Sequence, residues 1–250
     1  MYIEFNRIST KQKYLDVDYH VTIEPGDKIA IMGVNGCGKS SLINALLGAI
    51  KTDNDIVCNL KDNEIGLLPQ KVHLLDKLSV KQYIELVNGA PLTNEELEAS
   101  GIKHLYNRPI KVLSGGEAQY LALYLTTKIK RKLYIFDELT SGLDASKRNH
   151  VINNLINKNI DTFMLVTHYC EEAIKTCNKL LLMDNGNIIC YDDIDNLISK
   201  LGLDYKVIDQ DHKCRYYSNL EDAKVTLNEN EFIQPGNLQD VLNHYGVVYE

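Results

Sequence analysis

The sequence predicts an α/β fold with a mainly parallel sheet covered by helices on both faces. Two observations carry that expectation. Short, largely apolar runs at Leu133–Phe136 and Thr162–Val166 alternate with segments of helical spacing, the pattern of strands buried on both sides. A third run, Lys28-Ile-Ala-Ile-Met, leads through a glycine-rich loop into Lys39–Leu47, where Leu42, Ile43, Leu46 and Leu47 recur at helical spacing.

In chain order, Met1-Tyr-Ile-Glu-Phe-Asn-Arg and Val21-Thr-Ile-Glu alternate apolar and polar residues as half-buried strands do, with a turn at Pro25-Gly26-Asp27. Gly48 is placed to end the helix that begins at Lys39. Residues 56–69 read as short strands ending at Leu67-Leu68-Pro69-Gln70. From about 71 to 112 the chain is helical and polar, with Ser79 and Thr93 as N-caps before Val80–Val87 and Asn94–Ala99. Ser114 opens a helix reaching about Ile129; Ala145–Asn157 and Glu171–Thr176 are further helices. Strands at Lys179–Met183 and Asn187–Tyr191 flank Asn185-Gly186, a pair that favours a type I′ hairpin. Beyond Asp195 the composition turns polar, with weak alternation near Tyr205–Ile208 and a helix-like stretch at Leu238–Tyr245, which reads as a small appended module.

Composition removes several classes of function. A formal net charge of −7 argues against a partner held mainly by phosphate neutralisation, so no nucleic acid is expected. No apolar run approaches the ~20 residues that span a bilayer, so a membrane role needs another chain to supply the membrane part. The N-terminus lacks the apolar core of a signal peptide. The six cysteines are scattered without a C-x-x-C pair, which argues for reduced thiols over a zinc site or a disulfide framework.

Gly33-Val-Asn-Gly-Cys-Gly-Lys39-Ser40 fits G-x-x-x-x-G-K-[ST] between a strand and a helix. The glycines let successive N–H groups turn toward phosphates, Lys39 adds a point charge, and the Ser40 hydroxyl can ligate Mg²⁺. Contacts to a nucleotide are expected from Gly33, Asn35, Gly36, Cys37, Gly38, Lys39, Ser40 and Ser41. Cys37 reads as an inert, variable loop position; the alternative is a reactive thiol whose pKa the nearby helix N-terminus could lower. Asp137-Glu138 ends a buried strand, with Asp137 suited to a metal and Glu138 aimed elsewhere, toward an attacking water. His168 ends another strand, from which it could reach a terminal phosphate or that water. Gln70 ends a third and could complete the metal shell. Ser114-Gly115-Gly116, at a helix start with no strand before it, is a second anion-binding turn.

In this order these motifs, with Ser141-Gly-Leu-Asp144, resemble an ATP-binding cassette (ABC) ATPase over about residues 1–195. The resemblance implies a phosphate-loop NTPase with an N-terminal antiparallel β subdomain, a compact helical subdomain at about 71–130, and a small C-terminal extension at 196–250. It implies ATP and Mg²⁺ as cofactors and a head-to-tail dimer of two cassettes, identical or not. In such a dimer Ser114, Gly115 and Gly116 close over the ATP of the other copy and Asp144 communicates across the interface. Glu138 would be the catalytic base, His168 the switch histidine, Ser40, Gln70 and Asp137 the metal contacts, and Tyr14 the adenine-stacking aromatic. The chain departs from the family at Glu117, where Gln is commoner, at Leu139, where proline is usual, and at Tyr120, where arginine is usual.

Leu78-Ser-Val-Lys-Gln-Tyr resembles the segment that receives a coupling helix in transporter cassettes, and Asn237-Leu-Gln-Asp-Val-Leu resembles the tail of exporter ATPases. The expectation is therefore a transporter subunit, peripheral on the cytoplasmic face of a membrane through a separate permease, and working in export. The alternative is a soluble ABC ATPase acting on a macromolecule: Leu113-Ser-Gly-Gly-Glu-Ala-Gln119 also resembles DNA-repair and translation-factor cassettes, and an iron–sulfur assembly ATPase of similar length is a further option.

Overall fold

A computed structural model describes residues 1–10, 15–53, 56–141, 143–157, 160–228 and 230–247. The chain opens with an antiparallel layer in which β1 (Ile3–Ser9) pairs with β2 (Asp16–Ile23), Ile3 opposite Ile23 and Ser9 opposite Asp16. β3 (Lys28–Met32) enters a second sheet and leads into α1 (Lys39–Leu46), after which β4 (Val57–Cys58) returns to the other side of β1. β5 (Ile65–Leu68) precedes the helices α2 (Val80–Asn88), α3 (Asn94–Ala99) and α4 (Gly115–Lys128). Ser79, Thr93 and Ser114 cap these three, each reciprocated by the side chain three residues on.

Strand and helix then alternate. β6 (Leu133–Asp137), α5 (Ala145–Asn157), β7 (Phe163–Val166), α6 (Cys170–Thr176), β8 (Lys179–Asp184) and β9 (Asn187–Asp193) complete a six-stranded sheet among the described residues. Its order is β5-β6-β7-β3-β8-β9, parallel throughout except for β9, which runs antiparallel to β8. Positive φ at Asn185 and Gly186 gives that hairpin the I′ shape.

Successive residues of each strand serve opposite faces. Ile29, Ile31, Leu133, Ile135, Met164 and Val166 pack with α1 and the β1–β2 layer. Tyr134, Phe136, Phe163 and Leu165 pack on the other side with Leu123 of α4 and Val151 of α5. A smaller cluster gathers Val80, Ile84, Ile102, Leu105 and Leu121 around the helices that follow β5.

The last part of the chain holds α7 (Ile194–Lys200), β10 (Tyr205–Ile208), β11 (Cys214–Tyr217), α8 (Leu220–Val225), β12 (Phe232–Pro235) and α9 (Leu238–His244). Its three strands make a separate antiparallel sheet, β11-β10-β12. α9 is continuous with the main core, because Leu238, Val241 and Leu242 cluster with Ala30, Leu180 and Leu182 of the large sheet.

A buried ion pair fixes the small sheet to α9. Lys206 Nζ donates to both Asp240 oxygens, at 3.1 and 2.9 Å, and the two residues are 8% and 3% exposed. The Asp240 carboxylate also accepts from Tyr216 Oη and from the Asn237 amide. Removing one partner strands a buried charge, so Lys206→Met should cost about 3–5 kcal/mol of stability in urea unfolding. Lys206→Met with Asp240→Leu should recover only part of that loss, because Asn237 and Tyr216 then lose their acceptor.

Candidate functional site

The phosphate-loop sequence adopts the shape its glycines permit. Gly33, Gly36 and Gly38 take φ of 146°, 81° and 108°, a region that L side chains rarely enter. At Gly33 space is also decisive: a Cβ would lie 2.2 Å from the Met183 carbonyl oxygen. The loop is held from outside as well, since the Gly186 amide donates to the Cys37 carbonyl at 2.8 Å. Lys39 folds back over it, donating from Nζ to the carbonyls of Gly33 at 2.7 Å and Val34 at 3.1 Å. Asn35, Gly36 and Ser40 are exposed and Ser41 is half-buried.

The strand order places the acidic pair beside this loop. β7 lies between β6 and β3, with Asp137 opposite Val166 and Val166 opposite Ile31. Three parallel strands thus end together, the edge at which open α/β sheets bind ligands. Asp137 and Glu138 diverge from there. Asp137 Oδ2 accepts from Ser40 Oγ at 3.2 Å, while Oδ1 is buried without a partner. Burial pushes the Asp137 carboxyl above its ordinary range, against the pull of the Ser40 hydroxyl. A hydroxyl, a carboxylate and an orphaned oxygen are what a hard divalent cation with oxygen ligands would complete, so these residues fit Mg²⁺.

Glu138 leaves the strand in the left-handed region at φ 51°, with its amide still donating to the Val166 carbonyl at 3.0 Å. Its side chain meets the other two strand-end residues. Oε2 accepts from Gln70 Nε2 at 2.5 Å, and Oε1 lies 3.9 Å from His168 Nε2, whose ring Nδ1 is buried without a partner. Gln70 therefore faces Glu138 here through its amide nitrogen, a contact separate from the metal-shell role expected of its amide oxygen. Leu139, in the position where proline is usual, is fully buried with Phe136, Leu143 and Leu165, so the departure serves the core.

The second glycine turn has a neighbourhood of its own. Ser114 Oγ accepts from the Glu117 amide at 3.3 Å, and Glu117 Oε2 accepts from the Ser114 amide at 2.7 Å. Arg108 Nη1 reaches Glu117 Oε1 at 2.6 Å. The Ser114 amide bond and the Arg108 guanidinium hold the Glu117 carboxyl below its ordinary value, so glutamate at 117 acts as a charged brace for this turn. Gly116 is closed in by Leu143, 2.7 Å from where a Cβ would stand, whereas a Cβ at Gly115 would meet nothing. Tyr120, in the usual arginine's place, lies against His150 at 5.6 Å between ring centroids. Asp144 is exposed; its Oδ1 accepts from the Lys147 amide at 2.9 Å, its Oδ2 pairs with Lys147 Nζ at 2.9 Å, and its carboxyl is lowered by those contacts.

Two expectations need amendment or stand apart. Cys37 is buried under the loop, and burial raises its thiol against the pull of Lys39, so the alternative of a thiol lowered by the helix N-terminus does not arise. Tyr14 lies outside the described residues. Conversely, Glu172 on α6 carried no signal that sequence reading used: it reads as one half of a polar Glu-Glu pair in a first helical turn, yet it is buried with Thr140 and Thr167 on its carboxylate. An acidic residue falling in helical step with Ala173 and Thr176 on the buried face was the available clue.

Comparisons with known proteins agree on one family. The family model described as "ABC transporter" matches residues 17–141. The zinc import ATP-binding protein of Pseudomonas fluorescens is 28% identical over 186 residues, 72% of this chain and 70% of that protein. A solved ATP-binding subunit of an ABC transporter shares the fold with a TM-score of 0.70 at 20% identity, covering 81% of this chain and 94% of its own. A dimeric ATP-binding cassette in a post-hydrolysis state, bound to ADP and Pi, does so with a TM-score of 0.63 at 19% identity, covering 77% and 98%.

Proposed function

The chain belongs to the ABC transporter family, as an ATP-binding subunit that hydrolyses ATP with Mg²⁺, and from that premise we propose that it closes head to tail with a second cassette on two ATP and drives a separate membrane permease. The observation that carries this reading is the meeting of Lys39, Ser40, Asp137, Gln70, Glu138 and His168 at the ends of adjacent parallel strands.

The loop amides at 33–41 and Lys39 would hold the phosphates, and Ser40 and Asp137 the metal. Bound there, Mg²⁺ supplies charge neutralisation of the triphosphate during in-line attack. The protein's own part is acid–base work and positioning. Glu138, set beside but turned away from Asp137, orients a water and takes its proton. His168 Nε2 stands close enough to Glu138 to sense whether that carboxylate is engaged. Gln70, bonded to Glu138, links the site to the loop after β5, where the permease is proposed to dock. Ser114, the open Gly115 and Gly116 cap the ATP of the other copy, with Asp144 beside them at the interface. Residues 1–195 form the ATPase unit, with its helical part at about 71–130, and 196–250 the extension.

On direction, the Pseudomonas relative is named for import, so the export expected from the tail is not supported; uptake is the better-supported direction. Among the described residues no helix is long and apolar enough to cross a membrane. Affinity purification of the tagged chain from detergent-solubilised membranes of its native cells should bring down a protein with several membrane spans. Recovery of ribosomes or nucleic acid instead would favour the alternative of a macromolecule-directed ATPase.

A further inference from the structure

Behind the site lies a buried polar tie that the reading above does not use. Glu172 is 3% exposed, and its two carboxylate oxygens go to different turns. Oε1 accepts from Thr140 Oγ1, two residues past Glu138. Oε2 accepts from Thr167 Oγ1 at 2.7 Å, one residue before His168. Thr140 and Thr167 are 1% and 2% exposed. The Thr167 arm and the Glu172 backbone are held further: Thr167 Oγ1 accepts from the Tyr169 amide at 3.0 Å, and Thr176 Oγ1 donates to the Glu172 carbonyl at 2.7 Å. Arg148 compensates the charge, with Nε 3.6 Å from Oε1 and the guanidinium carbon 3.4 Å above the Tyr169 ring. Burying an ionised carboxylate is costly unless it is paired and bonded, and here both oxygens are. A carboxylate, with two acceptor oxygens, suits two opposed hydroxyl donors, and an amide could engage the same pair by accepting from one hydroxyl and donating to the other.

A second observation shows what the tie does. Glu138 holds a left-handed φ of 51°, a strained conformation for this residue type that persists only where its surroundings fix it. The Thr140 arm anchors the chain immediately after that residue, and the Thr167 arm anchors the facing turn. We propose that Glu172 is a positioning residue that clamps the Glu138 turn to the His168 turn and so sets their spacing for hydrolysis. The proposal rests on the role given to Glu138 above.

The test uses the full chain and reads ATP affinity, kcat and Tm together for Thr140→Val, Thr167→Val, the double variant, Glu172→Leu and Glu172→Gln. Misplacing a reacting group by about 1 Å can cost on the order of 100-fold, so each valine variant should lose about 10-fold or more in kcat. Its ATP Kd should stay within about 2-fold, the split expected when only the chemical step is touched. The double variant should fall little further than either single, because one lost arm already frees the turns. Glu172→Gln should restore most of the kcat lost in Glu172→Leu, since an amide can still engage both hydroxyls. Wild-type kcat in both valine variants would overturn the clamp, as would losses that follow Tm and vanish when the assay is cooled. Glu138→Gln run alongside separates the two ideas: full turnover in that variant defeats the site reading and the clamp with it. An inactive Glu138→Gln beside fully active valine variants defeats the clamp alone.

Discussion

Glu138→Gln should lower ATP turnover by about two to four orders of magnitude, the range a positioned general base contributes, with ATP still bound. The substitution keeps the volume and an acceptor for the Gln70 amide, which now donates to Oε2 at 2.5 Å, so the surroundings need not move. It removes the ability to take a proton from water. Asp137, 3.2 Å from the Ser40 hydroxyl, is untouched, and the proposed metal contacts remain. A cassette that binds but does not hydrolyse should stay closed. In size-exclusion chromatography with ATP and Mg²⁺ the variant should therefore run as a dimer, whereas a monomer under those conditions would refute the head-to-tail capping assigned to Ser114–Gly116. Equal turnover in wild type and variant would remove Glu138 from the chemistry.

Lys39→Ala should act one step earlier, on binding. The ammonium now rests on the carbonyls of Gly33 and Val34, contacts it can exchange for phosphate oxygens as a ligand enters. Hydrogen bonds to charged groups contribute about 1.5–3 kcal/mol each, so losing two raises the ATP Kd by about 100-fold or more. Isothermal titration of ATP and Mg²⁺ into the variant checks this, with Tm recorded to separate a lost ligand contact from a collapsed loop. Affinity within a few-fold of wild type in a folded variant would take Lys39 out of the phosphate site.

The phosphate loop, the acidic pair, His168 and the alternating order of β6, α5, β7 and α6 were legible in the sequence because each rests on local pattern. Glycines at 33, 36 and 38 announce a backbone few other residues adopt, and a strand buried on both faces announces itself as an apolar run. What stayed hidden depends on distant partners. β11 and β12 are largely exposed on both sides, so no period of two marks them. The small sheet is tied to α9 through Lys206 and Asp240, 34 positions apart in the chain. That Gln70 would turn its amide nitrogen to Glu138 depends on the pairing of β5 with β6, which no local pattern encodes. Glu172 was invisible for a further reason: a glutamate in a first helical turn is ordinary at a surface, and only the fold turns it inward.

The phosphate loop is finished by chain made much later. Gly33 is confined by the Met183 carbonyl, the Cys37 carbonyl is bonded to the Gly186 amide, and β8 is the strand that pairs with β3 on the side away from β7. During synthesis the whole glycine motif leaves the ribosome while the hairpin that shapes it is still untranslated. A fragment that ends before β8 therefore carries the whole glycine motif but lacks the Met183 and Gly186 contacts that shape it.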